Sequence, residues 1–183
     1  SVRIISRDKK IGVVSHKSFI VNENDDIIGS TDYQFSTLIL HRKDLACRYE
    51  GLSFLKDNML FRSGIYNVSG VLFRKEACTG FSDYTELKQA GDTLFWTNIL
   101  LDHDIVVNYQ KLNYFRQHQN STTYKNFQQN IYPMLEMYKR IGFVKKKIDL
   151  NNKEWEYVYK KAFERSLQHI RNLGWNLISA DAF

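Results

Sequence analysis

Apolar residues fall in short blocks over the first two thirds of the chain and in long helical stripes near its end. Ile11-Gly12-Val13-Val14-Ser15 and Ser18-Phe19-Ile20-Val21 are compact apolar runs that predict two strands. Asn22-Glu23-Asn24-Asp25-Asp26 predicts a polar turn, and Ile27-Ile28-Gly29 a short return strand. Ahead of them, Val2, Ile4 and Ile5 read as the end of an amphipathic helix. From Thr31 to Arg48 the pattern is mixed, with Phe35, Leu38, Ile39 and Leu45 at incomplete helical spacing. Residues 50–60 predict a short helix. Residues 65–74 are β-branched and apolar and predict a buried strand, in which Gly70 marks a close approach to the backbone.

Residues 75–78 read as a turn towards Gly80 and Phe81, and residues 84–88 as one or two helical turns. Asp92 then stands as N-cap or first-turn residue of a helix running to about Leu101. Ile105-Val106-Val107 and Leu112-Asn113-Tyr114 predict two strands around a short turn. The remainder is helical. Asn130 is placed to cap a helix carrying Ile131, Leu135, Tyr138 and Ile141, with Pro133 tolerated in its first turn and Gly142 ending it. In the last helix Asn152 is the expected cap, and Glu154 and Glu156 suit the positive end of the dipole. Trp155, Val158, Tyr159, Ala162, Phe163, Leu167, Ile170 and Leu173 form one stripe, read as core packing, and Gly174 is the expected C-cap.

With 183 residues the chain is long enough for one domain with a real core. A 43% hydrophobic content excludes a disordered chain, and a single proline excludes a proline-rich linker. No apolar run is long enough to cross a bilayer. Cys47 and Cys78 are isolated in sequence and are expected to be reduced thiols of a cytosolic protein. The net charge of +6 is spread along helical faces rather than clustered with aromatics, which argues against nucleic acid. The one denser run, Arg140-Ile141-Gly142-Phe143-Val144-Lys145-Lys146-Lys147, reads either as a solvated loop or as a contact with an anionic membrane surface, where each basic residue adds ~1 kcal/mol. Because Ser1 falls in mid-pattern, the chain is expected to be a fragment or excised domain.

Candidate chemistry is sparse. Taken alone, Asp92 reads as a helix-capping acid, and Trp96, one turn on, as core. Asp102-His103-Asp104 has the hard-oxygen pair that suits Mg²⁺ or Mn²⁺, yet its position between a helix end and a strand favours a solvated loop. Asp25-Asp26 is a weaker pair, and His16, His41 and His169 have no companions at metal spacing. Arg116 and His118 share a side if their segment is extended, and both can donate to phosphate oxygens. Ser121 and Thr122 could extend such a site or cap the next helix. ATP-binding, serine-hydrolase and zinc-protease motifs are absent.

From about Ile11 to Thr122 these residues, in order, resemble the C-terminal part of the catalytic domain of glycosyltransferase family 2, the GT-A-fold enzymes. Asn67-Val68-Ser69-Gly70-Val71-Leu72-Phe73-Arg74-Lys75 followed by Gly80-Phe81 is similar to the family's small-residue strand and Gly-Phe turn. Gly91-Asp92-Thr93-Leu94-Phe95-Trp96 looks like the segment bearing the catalytic acid. Leu112-Asn113-Tyr114-Phe115-Arg116-Gln117-His118 is similar to the Arg-x-His segment that closes the site. The resemblance implies an α/β chain: a partial GT-A (Rossmann-like) fold with short strands over residues 1–122, and a helical extension over residues 123–183.

It also implies inverting transfer of a sugar from a nucleotide-sugar donor to the hydroxyl of a sugar or lipid-linked acceptor. Polysaccharide or glycoconjugate synthesis at the cytoplasmic face of a membrane would be the setting. Asp92 would be the general base. Arg116 and His118 would neutralise the leaving diphosphate, and Asn67, Ser69, Gly70 and Trp96 would line the acceptor side. A divalent cation, Mn²⁺ or Mg²⁺, is expected for the full-length enzyme and none for this chain alone, because the family's Asp-x-Asp half would precede Ser1. Asp102-His103-Asp104 lies on the wrong side of the Asp92 helix for that role. The alternative is a non-catalytic carbohydrate- or protein-binding module with a similar core, and a basic nucleic-acid-binding helical domain is a third, weaker option.

Overall fold

The computed structural model describes residues 1–41, 44–78, 87, 90–117 and 132–180, with the side chains of 132–133 and 173–180 left aside. Helix α1 (Val2–Arg7) leads into strand β1 (Ile11–Val21), followed by β2 (Ile27–Ser30), α2 (Asp32–Ser36), β3 (Ala46–Tyr49) and α3 (Gly51–Phe54). A π-helical turn (Leu55–Met59) extends α3 directly. A 3₁₀ turn (Val68–Gly70), β4 (Val71–Phe73) and a second 3₁₀ turn (Lys75–Ala77) come next. Then follow α4 (Gly91–Asp102), β5 (Asp104–Arg116), α5 (Tyr132–Lys145) and α6 (Asn152–Ala180). The fold is mixed α/β. Predicted helices at the N-terminus, over 50–60 and at Asp92 are all present, as is the return strand β2.

The sheet order is β2-β1-β5-β3. β1 and β5 run parallel, whereas β2 and β4 pair antiparallel with β1, and β3 with β5. Two strands share one edge of β1: β4 takes Val13–Ser15 and β2 takes Phe19–Val21.

Three expectations about strands are corrected. The two runs at 11–15 and 18–21 are one strand, because polar His16-Lys17-Ser18 does not interrupt it. Ser18 and Lys17 are buried with polar partners, which is what lets polar groups occupy a strand centre. The turn expected between 107 and 112 is instead a bulge. Pairing jumps from His16↔Asn108 to Lys17↔Lys111, and Asn108 Oδ1 accepts the Gln110 amide at 3.0 Å. The strand expected over 65–74 shrinks to Val71–Phe73. Asn67 Oδ1 accepts the Ser69 amide at 3.2 Å, an Asx-type bond that turns the chain. In the mixed region, Phe35 sits in the five-residue α2, and β3 was not foreseen.

Val13, Ile105 and Val107 of the sheet pack with Trp96, Ile99 and Leu100 of α4 and with Phe54, Leu55 and Met59. On a smaller second cluster, Ile11, Val14 and Val106 meet Ile4 and Ile5 of α1. A third core joins Leu60 and Phe61 to Met137, Ile141 and Val144 of α5 and to Trp155, Val158 and Ala162 of α6. Each buried aliphatic side chain in these clusters is worth ~1.5–3 kcal/mol.

The helical stripes are corrected in phase. On α5, Leu135 and Tyr138 are exposed, and the buried face carries Glu136, Met137, Arg140, Ile141 and Val144. On α6, Tyr159, Phe163, Leu167 and Ile170 are exposed beside the buried Trp155, Val158, Ala162 and Ser166. α5 continues past Gly142 to Lys145, and α6 past Gly174 to Ala180. The cap of α6 is Asn151 rather than Asn152. Its Oδ1 accepts the Glu154 amide at 3.1 Å and its own amide donates to Glu154 Oε2 at 3.0 Å, a capping box. Among the described residues no helix is long and apolar enough to cross a membrane. The expectations at Gly80, Phe81, Asn130 and Ile131, and over 84–88 apart from residue 87, lie outside the described residues.

Candidate functional site

Helix α4 starts after Ala90, which offers no side-chain cap. Asp92 lies in the first turn, where a carboxylate faces the positive end of the helix. Its Oδ1 accepts the Thr93 amide at 2.6 Å and the Thr93 hydroxyl at 3.3 Å. Asp92 is exposed as a residue, yet neighbouring protein partly desolvates its carboxyl. That desolvation raises its pKa, and it outweighs the Thr93 hydrogen bonds and the charge of Arg140, which act the other way.

The backbone ahead of α4 is held from outside. The Ala90 amide donates to Glu136 Oε2 of α5 at 2.7 Å. One turn along α5, the buried Arg140 donates from Nη2 to the carbonyls of Leu60 at 3.2 Å and Arg62 at 3.3 Å. Burial pushes its pKa down to about 10, against the pull of Asp92 and Glu136. Arg140 therefore does not belong to a surface basic run. Only Lys145, Lys146 and Lys147 of that run are exposed cations. Lys145 lies 5.5 Å from the centre of the Trp155 ring, and Lys147 donates to Asn98 Oδ1 at 3.2 Å. Neither Glu136 nor Arg140 was singled out as chemistry from the sequence. Their spacing of four on a helix with apolar neighbours was the available signal.

Trp96 is 2% exposed, edge-on to Phe73 at 5.5 Å and to Phe95 at 4.7 Å. Its position is in the core beneath Asp92's turn.

Asn67, Ser69 and Gly70 are brought together with two residues the sequence reading did not select, Ser18 and Asn113. Asn67 Nδ2 donates to Ser18 Oγ at 2.9 Å, and Asn113 Nδ2 donates to Ser18 Oγ at 3.2 Å and to Ser69 Oγ at 3.0 Å. Ser69 Oγ donates to Asn67 Oδ1 at 2.8 Å, closing a ring. A Cβ on Gly70 would stand 3.1 Å from the His16 carbonyl, so the small residue allows this loop to lie against β1. The ring links β1, β5 and the loop before β4 through neutral amides and hydroxyls.

Arg116 ends β5 and turns its guanidinium onto the β1–β2 turn. It donates to the Asn22 carbonyl at 2.9 Å and the Glu23 carbonyl at 3.1 Å, and pairs with Asp25. His118, Ser121 and Thr122 lie outside the described residues. No hydrogen bond or ion pair joins Asp92 to the amide ring or to Arg116 among the described residues.

In the Asp102–Asp104 segment Asp102 is exposed at the end of α4, as expected, whereas Asp104 opens β5 and is not solvated. Asp104 is 6% exposed and pairs with Arg48 at 2.6 Å, while the Asp102 carbonyl accepts Lys10 Nζ at 2.9 Å. A guanidinium already neutralises Asp104, so this pair does not fit a divalent cation. No group of three or more His, Cys, Asp and Glu side chains converges among the described residues. A cleft of about 720 Å³ opens at the far end of α4 from Asp92, with Asn98, His103, Lys147 and Asp149 in its lining.

No protein-family model, no curated protein and no solved structure matches this chain.

Proposed function

We propose that this chain forms the acceptor side of an inverting sugar-nucleotide transferase of the GT-A type, with Asp92 as general base. The observation that carries the reading is the Asp92 carboxylate: solvent reaches the residue at the start of a buried helix, and desolvation makes it more basic than an ordinary aspartate. In the reaction the acceptor hydroxyl gives its proton to Asp92. Its oxygen forms a bond to the anomeric carbon of the donor, and the carbon–oxygen bond to the nucleoside diphosphate breaks with the electron pair leaving on phosphate. A positioned base contributes roughly 10²–10⁴-fold to such a step.

In this reading Asn67, Ser69 and Asn113, held in place by the buried Ser18 and lying beside the buried Gly70, offer neutral amide and hydroxyl groups to acceptor hydroxyls. Trp96 supports Asp92's helix from the core. Arg116 has no leaving-group role in this reading, because its fork is spent on the β1–β2 turn. The role of His118 beside the diphosphate rests on the sequence resemblance alone, as do the membrane setting and the lipid-linked acceptor. No step is assigned to a divalent cation.

The test is to incubate the full-length gene product with a panel of nucleotide-sugars and glycan acceptors and to identify products by mass and anomeric configuration. Transfer with inversion is expected. Retention of configuration, or no transfer from any donor that binds, would overturn it.

The amide ring favours a second reading, a non-catalytic carbohydrate-binding module. That reading predicts glycan binding lost in Asn113→Ala with no transfer under any condition.

A further inference from the structure

We propose that one face of the α5–α6 hairpin is a docking surface for an anionic lipid bilayer. Its apolar side chains enter the boundary between headgroups and acyl chains, and its basic rim meets lipid phosphates. Asp92 plays no part in it.

The helical phase that buries Trp155, Val158 and Ala162 leaves a second apolar stripe of α6 in water. Tyr159, Phe163, Leu167 and Ile170 recur at spacings of four, four and three, so they share one side of the helix. On α5, Leu135, Tyr138 and Lys145 share a side for the same reason. Lys145 Nζ lies 5.3 Å from the centre of the Tyr159 ring, so the two sides meet along one face of the hairpin. None of the six apolar side chains is less than 38% exposed. Single exposed apolar residues are ordinary, but a run of large ones across two neighbouring helices marks an interaction surface.

Charge decides what covers this face. The outer edge of the α6 stripe carries Lys153, Lys160 and Arg171, at spacings of seven and eleven that return to one side of a helix. Lys145 stands at the opposite edge. All four cations are exposed, and none has an ion-pair partner among the described residues. Two acids lie near the same edge. Glu156 precedes Lys160 by one turn, and Glu164 already pairs with Lys161 at 2.8 Å. A second copy of the chain fits this pattern poorly. Packed antiparallel on the same stripe, it would bring its Arg171 towards Lys160. Packed parallel, it would set each cation against its twin, and like charges across a contact are costly. An anionic surface meets all four cations at once, and the net charge of +6 draws the chain to it. Leu, Ile, Phe and Tyr beside a basic rim are also the side chains of helices that lie in a bilayer interface. There a tyrosine keeps its ring in the apolar layer and its hydroxyl among the headgroups.

The test is co-sedimentation of the full chain with vesicles of phosphatidylcholine, with and without phosphatidylglycerol, at low and high salt. Binding is expected on the anionic vesicles alone, and it should weaken as salt rises. Lys160→Gln/Arg171→Gln should weaken it by roughly 5-fold for each charge removed. Phe163→Ser/Ile170→Ser should weaken it by about 10-fold or more, through lost apolar burial. Both variants change only exposed side chains, and circular dichroism checks that they fold. Arg3→Gln/Arg7→Gln removes the same charge from the exposed side of α1 and should leave binding near the parent value. Parent-like binding in either hairpin variant, an equal loss in the α1 variant, or no binding at low salt overturns the proposal. Self-association in sedimentation velocity that Phe163→Ser/Ile170→Ser abolishes, without vesicle binding, would give the face to a second copy. Capture of an acidic protein without vesicle binding would give it to a protein partner. Either result overturns the lipid assignment.

Discussion

Lys17 occupies the middle of β1 with 5% exposure, and two features make that position tolerable. Its Nζ lies 2.6 Å from Asp32 Oδ1, and the faces of Phe35 and Tyr109 stand 5.7 and 5.6 Å away. Asp32 also holds Lys111 at 2.7 Å and accepts the Ser30 hydroxyl at 2.6 Å. The hydrogen bonds from Lys111, Lys17 and Ser30 hold its pKa well below the usual carboxylate range. A carboxylate depressed in the folded state stabilises the fold above its unfolded pKa, and this is lost as pH falls through the folded value. Asp32→Asn should therefore be less stable than the parent at neutral pH, with the gap narrowing as pH drops below about 4. Urea denaturation at a series of pH values measures it, and a gap independent of pH would contradict the assignment. Asp32 is not singled out from the sequence, because its partners Lys17, Ser30 and Lys111 come from three different strands.

Elements were legible where one local signal decided them and illegible where a partner did. The extended character of 11–15 and 18–21, the Asn22–Asp26 turn and the helix at Asp92 are legible because their signals are local, whereas the joining of the two runs into one strand depends on the partners of Lys17 and Ser18. The bulge in β5 was read as a turn, since only its pairing with β1 distinguishes the two. On α5 the stripe was chosen by hydrophobicity, whereas the buried face includes Glu136 and Arg140, whose partners lie on the chain before α4 and after the α3 turn. Trp155 and Val158 were correctly placed in the core, but the exposed Phe163 and Leu167 follow the same periodicity, so periodicity alone could not separate them. The Asn151–Glu154 box is the clearest local device in α6, and Glu154 also pairs with Lys56 at 3.0 Å. Asn151→Ala should lower stability by ~1 kcal/mol, the usual worth of such a cap. Thermal or chemical denaturation would show it, and an unchanged midpoint would mean that the start of α6 contributes nothing to cooperative unfolding.

Across the whole molecule, the sheet and the C-terminal helices are coupled through Leu60 and Phe61, which share a core with α5 and α6. That coupling brings Glu136 of α5 to the start of α4, so the backbone ahead of Asp92 is held by an element far away in sequence. The segment 67–70 reads from sequence as part of a buried strand, whereas in the structure it is a turn whose Asn67 and Ser69 join Ser18 and Asn113. The proposed sugar transfer stands or falls with the carboxylate of Asp92. The most direct measurement is the transfer rate of Asp92→Asn against the parent at saturating nucleotide-sugar and acceptor, with donor binding followed in parallel. The rate should fall by roughly 10²–10⁴-fold with donor binding retained. A parent-like rate in the folded variant would contradict it.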